Sequence, residues 1–237
     1  MPIVGERKFN DKNNQQIMAQ ETYVYKVFER FWHWSQAFLI LFLAVTGFEI
    51  HGSFNLMGFE SAVRWHNISL WALVILIVFA IFWHFTTGEW RQYIPTSKFI
   101  KAQIEYYITG IFRGAPHPTK KSVYNKFNPL QRLVYLGLKI FAIPVQVVTG
   151  FLYLYYKYPS GGEIQSIDMV NLRLIALIHT IGAFALVAFV IAHVYLTTTG
   201  KKPLEAMKAM ITGWEDLEDD HDVANQSAMG AEDKKED

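Results

Sequence analysis

The stretch Leu177–His193 reads LIHTIGAFALVAFVIAH. Its only polar side chains are Thr180 and two histidines, His179 and His193, one near each end. It sits inside a longer apolar window, 172–197, and three windows of the same kind precede it at 31–50, 65–85 and 133–156. Each is about as long as the ~20 residues that carry a helix across a ~30 Å hydrocarbon core. Acidic residues are nearly absent inside them, and the basic exceptions are Lys139 and, at a window's edge, Arg173. Backbone groups in lipid are satisfied only in helices or closed barrels, and the alternation of a barrel strand is missing. The pattern predicts an all-α fold, a polytopic membrane four-helix bundle.

Hydrophobic residues make up 51% of the chain, a share that a soluble domain also reaches, so their bunching decides the class. The chain has no cysteine. That excludes disulfides, thiolate metal sites, iron–sulfur ligation and thioether attachment of haem by this chain. Residues 1–30 are polar, so no cleavable signal is read there and the first span serves as the insertion signal. Five basic residues lie in 1–30 (Arg7, Lys8, Lys12, Lys26 and Arg30) and eight in the long connection 86–132. Lys201 and Lys202 open the tail, whereas the loops 51–64 and 157–171 carry only Arg64 and Lys157. The positive-inside rule then places both termini and the long connection in the cytoplasm, with the two short loops outside.

Three sections follow: a cytoplasmic N-terminal segment 1–30, a transmembrane domain 31–214 and an acidic, disordered tail 215–237. The run KKPLEAMKAMITGW before the acidic tail has apolar residues at helical spacing and reads as an interfacial helix or as plain loop. Pro144 is expected to kink the third span.

Six of the eight histidines (33, 51, 66, 84, 179 and 193) lie in or at the ends of apolar spans. A lone histidine there reads as an interhelical hydrogen bond, but ionisable groups in a membrane are costly and point to function. Fourteen residues separate His179 from His193, ~21 Å along a helix axis and within about 40° of four full turns, so both leave one face. Span directions place His33 at the inner level with His193, and His66 at the outer level with His179. Two equal-depth imidazole pairs suit two bis-histidine haems, whose filled axial positions make them electron carriers. Gly182–Ala183, Thr46–Gly47 and Thr149–Gly150 offer close backbone approach to a flat macrocycle, or ordinary helix packing. His84 shares the His66 face at the inner level and competes with His33 as partner of His193. Its ~27 Å from His66 argues mildly against it. His51 reads as a surface, relay or third-haem residue, and His117 and His221 as solvated.

These residues carry a resemblance. ERFWHWSQAFLILFLAVTG, with its Arg30-x-x-His33-Trp34 start, resembles the first span of the cytochrome b (gamma) subunits of formate dehydrogenase and thiosulfate reductase. KFNPLQRLVYLGL and LIHTIGAFALVAFVIAHVYLTTTG followed by KAMITG are similar to that family's third-span entry, fourth span and tail. Nickel–iron hydrogenase cytochrome b subunits share the architecture. The resemblance covers about residues 22–214 and departs from the formate dehydrogenase type at His51 and His84, which leaves the haem count open.

The resemblance implies a four-helix bundle with two b-type haems, held by His33 with His193 (inner) and His66 with His179 (outer). It implies an anchor for periplasmic iron–sulfur and catalytic subunits, exchanging electrons with membrane quinone (menaquinone or ubiquinone) near Asn128 and Gln131. Those two residues also read as a helix cap. Arg30 and Arg64, with Lys26 and Arg173, are candidate partners of haem propionates or plain snorkelling flanks. The expected place is the bacterial cytoplasmic membrane, within a multi-subunit oxidoreductase, with no substrate site on this chain beyond quinone and no nucleic-acid partner. A higher oligomer of the whole complex stays open, as does the direction of electron flow. The rival readings are a histidine proton relay in a transporter or channel, and a non-redox anchor.

Overall fold

The computed structural model describes residues 21–115, 118, 119, 122, 125–157, 169–198 and 204–216. A short strand β1 (Glu21–Tyr23) leads into α1 (Val27–Ile50) and α2 (Phe59–Thr87). A 3-10 turn (Glu89–Tyr93) and α3 (Ile100–Glu105) follow, then α4 (Pro129–Gly137) and α5 (Ile143–Lys157). α6 (Met169–Thr197), α7 (Glu205–Thr212) and β2 (Trp214–Asp216) close the described chain. Four apolar helical spans result: α1, α2, Pro129–Tyr155 in α4–α5 and Asn171–Thr197 in α6, of 24, 29, 27 and 27 residues. At 1.5 Å per residue each is longer than the ~30 Å core.

The bundle is apolar outside and polar within. Phe38 (66%), Phe82 (68%) and Ile191 (67%) are largely exposed, while Thr46, Ser69, His84 and Thr149 are buried. In water each such exposed side chain would forgo roughly 1.5–3 kcal/mol of burial, so the outer face is built for lipid. The helices begin several residues before the hydropathy windows at 31, 65, 133 and 172, because their first turns hold polar residues such as Glu29, Glu60, Gln131 and Asn171 that an apolar window leaves out.

α1 packs along α2 and α5 along α6, forming two hairpins. The third span is one rod in two grips. Asn128 caps α4, its side chain accepting from Gln131 N (2.8 Å) while Gln131 Oε1 accepts from Asn128 N (3.0 Å), with Pro129 at the first helical position. A wide π turn, Leu138–Ala142, then joins α4 to α5. Pro144 is the cause: it has no N–H for Ile140 and its ring crowds that carbonyl, so the backbone opens there. The kink expected at Pro144 takes this form.

The end where α1 begins and α6 finishes is termed basal, the opposite end apical. At the basal end β1 and β2 pair antiparallel, Tyr23 opposite Trp214 and Glu21 opposite Asp216. A tail boundary at 215 therefore falls inside a strand, since backbone pairing carries order to Asp216; 217–237 lie outside the described residues. α7 is helix, one of the two readings its sequence left open, and is tied to α1 by Trp34 Nε1 donating to Met210 O (2.9 Å) and Arg30 donating to Ile211 O (2.5 Å). Gly213 ends it at φ +89, where a Cβ would run into the Tyr23 ring.

Candidate functional site

The apical half of the bundle holds His66 from α2 and His179 from α6. Their ring centroids are 6.4 Å apart with planes at 68°. Each rests on a Thr-Gly pair from the neighbouring helix of its own hairpin. Thr46 Oγ1 lies 3.0 Å from His66 Nδ1, and Thr149 Oγ1 lies 2.9 Å from His179 Nδ1. The glycine that follows each threonine gives the ring its room. A Cβ on Gly47 would sit 3.3 Å from His66 Cε1, and one on Gly150 3.4 Å from His179 Cε1. Gln146 fixes the His179 turn further, its Nε2 donating to His179 O (3.0 Å) across Gly182.

The basal half holds His33 from α1 and His193 from α6, ring centroids 6.2 Å apart and tilted by 52°. Their surroundings are aromatic. Phe189 stacks on His193 at 5.5 Å, Tyr135 meets it edge-on at 6.3 Å, and Trp34 meets His33 at 5.3 Å. His33 Nδ1 is buried with no hydrogen-bond partner. The structure therefore brings together His66 with His179 and His33 with His193, the two pairs that depth and helical period suggest.

His84 is held elsewhere. Its Nδ1–H donates to Ala80 O (2.6 Å), and its Nε2 faces Lys139 Nζ (3.3 Å) and the Tyr93 hydroxyl (3.4 Å). Trp32, next in the chain to His33, lies against its ring at 5.2 Å. Burial first, then Glu29 and neighbouring groups, raise the Tyr93 phenol well above its ordinary value, so it stays a hydroxyl donor. Lys139 lies in the π turn, over the rings of Tyr93 (3.3 Å) and Trp32 (4.7 Å). Its charge marked it as an exception in an apolar window, but nothing in the sequence named Tyr93 and Trp32 as its neighbours.

The remaining candidates have plain placements. Asn128 and Gln131 close the α4 capping box, and Asn128 Nδ2 also donates to Tyr107 OH (3.0 Å). Arg30 reaches α7, and its Nε is buried without a partner; Arg64 is exposed near the start of α2. His51 at the apical end of α1 meets Thr180 Oγ1 at 3.1 Å. His117 and His221 lie outside the described residues.

The donor set can be tested against an iron porphyrin. Imidazole nitrogens ~2 Å either side of a metal, each about 1.1 Å from its ring centre, hold the two centroids ~6 Å apart. The separations of 6.2 and 6.4 Å meet that requirement at both levels. Hydroxyls at Nδ1 leave the apical Nε2 atoms for a metal, which is how ligating histidines are ordinarily oriented. The residues present fit a bis-histidine haem at each level.

A model of the family described as prokaryotic cytochrome b561 matches residues 24–213. The chain is similar to "Putative cytochrome YdhU" of Escherichia coli (strain K12), 29% identical over 203 residues, covering 83% of this chain and 75% of that protein. It is similar to "Probable Ni/Fe-hydrogenase B-type cytochrome subunit" of Rhizobium leguminosarum bv. viciae, 28% identical, covering 76% and 82%. A third relative is "Putative protein-methionine-sulfoxide reductase subunit YedZ1" of Azospira oryzae, 25% identical, covering 80% and 98%.

Proposed function

We propose an electron-carrying role from one premise: the chain belongs to the prokaryotic cytochrome b561 family. It is a multi-pass membrane b-type cytochrome. In the proposed role it links a redox partner at the apical, periplasmic face with quinone at the basal, cytoplasmic face. The observation that carries this reading is the two imidazole pairs, one above the other in a polar seam of an otherwise apolar bundle. Haem held at each level by its histidine pair would supply a one-electron iron couple.

The chain's own residues do the rest. His66 and His179 hold the apical level, His33 and His193 the basal one. The rings of Phe189, Tyr135 and Trp34 pack against the basal imidazoles and steady them. Quinone reacts at the basal end, near Asn128 and Gln131, and its protons come from the cytoplasmic side. The family relatives include a hydrogenase cytochrome subunit and a sulfoxide reductase subunit by name. The proposed partner is accordingly a periplasmic catalytic subunit with an iron–sulfur subunit, anchored by this chain in the bacterial cytoplasmic membrane with both termini inside.

The first test is an absorption spectrum of the purified protein, produced with haem available. A dithionite-reducible b-type signal with two haems per chain is expected; its absence refutes the reading and restores the histidine relay. His66→Ala or His179→Ala should remove one haem and leave the other. Quinone contact is tested by Asn128→Asp, which keeps the cap but loses the amide donor to Tyr107. Slower quinone reaction at unchanged haem content supports the site, and unchanged quinone kinetics removes it.

A further inference from the structure

The two imidazole pairs differ in what lies behind them. At the apical level both Nδ1 atoms meet a threonine hydroxyl, 3.0 Å for Thr46 with His66 and 2.9 Å for Thr149 with His179. A hydroxyl has one proton. In each case that proton goes to the threonine's own helix, Thr46 Oγ1 donating to Phe42 O (2.9 Å) and Thr149 Oγ1 to Val145 O (2.6 Å). The oxygen is left to accept, so each imidazole donates Nδ1–H and presents Nε2 toward its partner. The same device occurs once in each hairpin, with a glycine next to it that lets the ring approach the helix. At the basal level it is missing. His33 Nδ1 is buried and unpartnered, and no side-chain hydrogen bond is made by His193 among the described residues.

A ligating imidazole that donates its second N–H is the stronger electron donor, and second-shell hydrogen bonding of this kind tunes the potential of the metal. We infer that Thr46 and Thr149 are positioning residues that fix the tautomer of the apical ligands and hold the apical haem at a lower potential than it would otherwise have, tilting electron flow from the apical toward the basal level. This rests on the bis-histidine reading under Proposed function. It deepens that reading by giving the electron path a built-in direction, inward to quinone.

The test is a redox titration of the holo-protein followed in the b-type absorption bands. His66→Ala identifies which midpoint belongs to the apical level. Thr46→Val with Thr149→Val keeps the branched shape and removes both hydroxyl acceptors. The apical midpoint should rise by ~59 mV, a tenfold fall in the oxidised-to-reduced ratio at a fixed potential for a one-electron couple, with the basal midpoint unmoved. Thr46→Ser with Thr149→Ser retains both hydroxyls and should keep the wild-type values, which a merely structural role does not require. An apical midpoint that stays or falls, or an equal shift at both levels, overturns the inference. Should valine cost the apical haem, 15N NMR of the haem-free wild-type protein decides. Nδ1–H on His66 and His179 supports the inference, and Nε2–H on either overturns it. A wild-type protein without b-type bands refutes the function instead, and the same NMR measurement still decides the tautomer.

Discussion

At the scale of single residues, space at the apical imidazoles is set by two hydrogen atoms. Gly47 and Gly150 each leave room for a histidine ring that a methyl would meet at 3.3 and 3.4 Å. The contact at Gly47 is tighter than ordinary and that at Gly150 lies at the ordinary limit, and the neighbour is a ring already held at Nδ1, so it cannot slide away without losing its threonine. Gly47→Ala should therefore shift His66 and lower apical haem occupancy, while the basal haem stays at full content. Pyridine haemochrome content per chain measures this directly; full occupancy in the alanine variant would show that the ring has slack. The histidine pairs were legible in the sequence because depth and helical period are properties of one helix at a time. The threonines were visible only as small residues, because the role of a hydroxyl depends on which foreign atom faces it.

At the scale of elements, the basal end is fastened by a buried ion network. Lys126 is almost fully buried and contacts Glu29 at 2.7 Å and Glu89 at 3.4 Å, and Lys26 contacts Glu89 at 2.6 Å. The network ties the start of α1, the turn after α2 and the entry to α4. Burial alone would raise the Glu89 carboxyl, but the Lys26 and Lys126 ammoniums override it and hold it below the usual carboxylate range. Its contribution to stability is thus present above the ordinary value of 4.5 and is lost as pH falls through the lowered folded value. Lys126→Met leaves two carboxylates without their buried partner, a loss of roughly 3–5 kcal/mol by analogy with broken buried pairs. Thermal unfolding in detergent should show the lower Tm at neutral pH, with the gap to wild type narrowing under acid. None of this was readable beforehand. Residues 26, 29, 89 and 126 are far apart in sequence, and as a list they are four unremarkable flanking charges. The spans themselves were readable, because lipid demands about 20 consecutive apolar residues whatever the partner, and the cap at Asn128 was readable as Asn-Pro.

At the scale of the whole molecule, the apical and basal ends differ in how they are finished, and this bears on orientation. The apical α1–α2 loop is drawn tight by Glu49, whose Oε1 accepts from Leu56, Met57 and Gly58 N–H at 2.7–2.8 Å. That end is short and carries few basic residues. The basal end gathers β1, β2, α7 and the long connection, and among the described residues it carries Lys26, Arg30, Lys98, Lys101, Lys126 and Arg132. Charge therefore favours a basal end that stays in the cytoplasm, since moving it across the membrane would carry many cations outward. The chain has no cysteine of its own, so a single introduced thiol reports its side without background. Ser53, exposed in the apical loop, and Lys98, exposed in the long connection, are suitable positions. In intact cells a membrane-impermeant maleimide should label Ser53→Cys, and should label Lys98→Cys only after the membrane is opened. The reverse pattern would invert the molecule, turn the proposed quinone site near Asn128 and Gln131 to the periplasmic face, and make the level held by Thr46 and Thr149 the one nearest the cytoplasm.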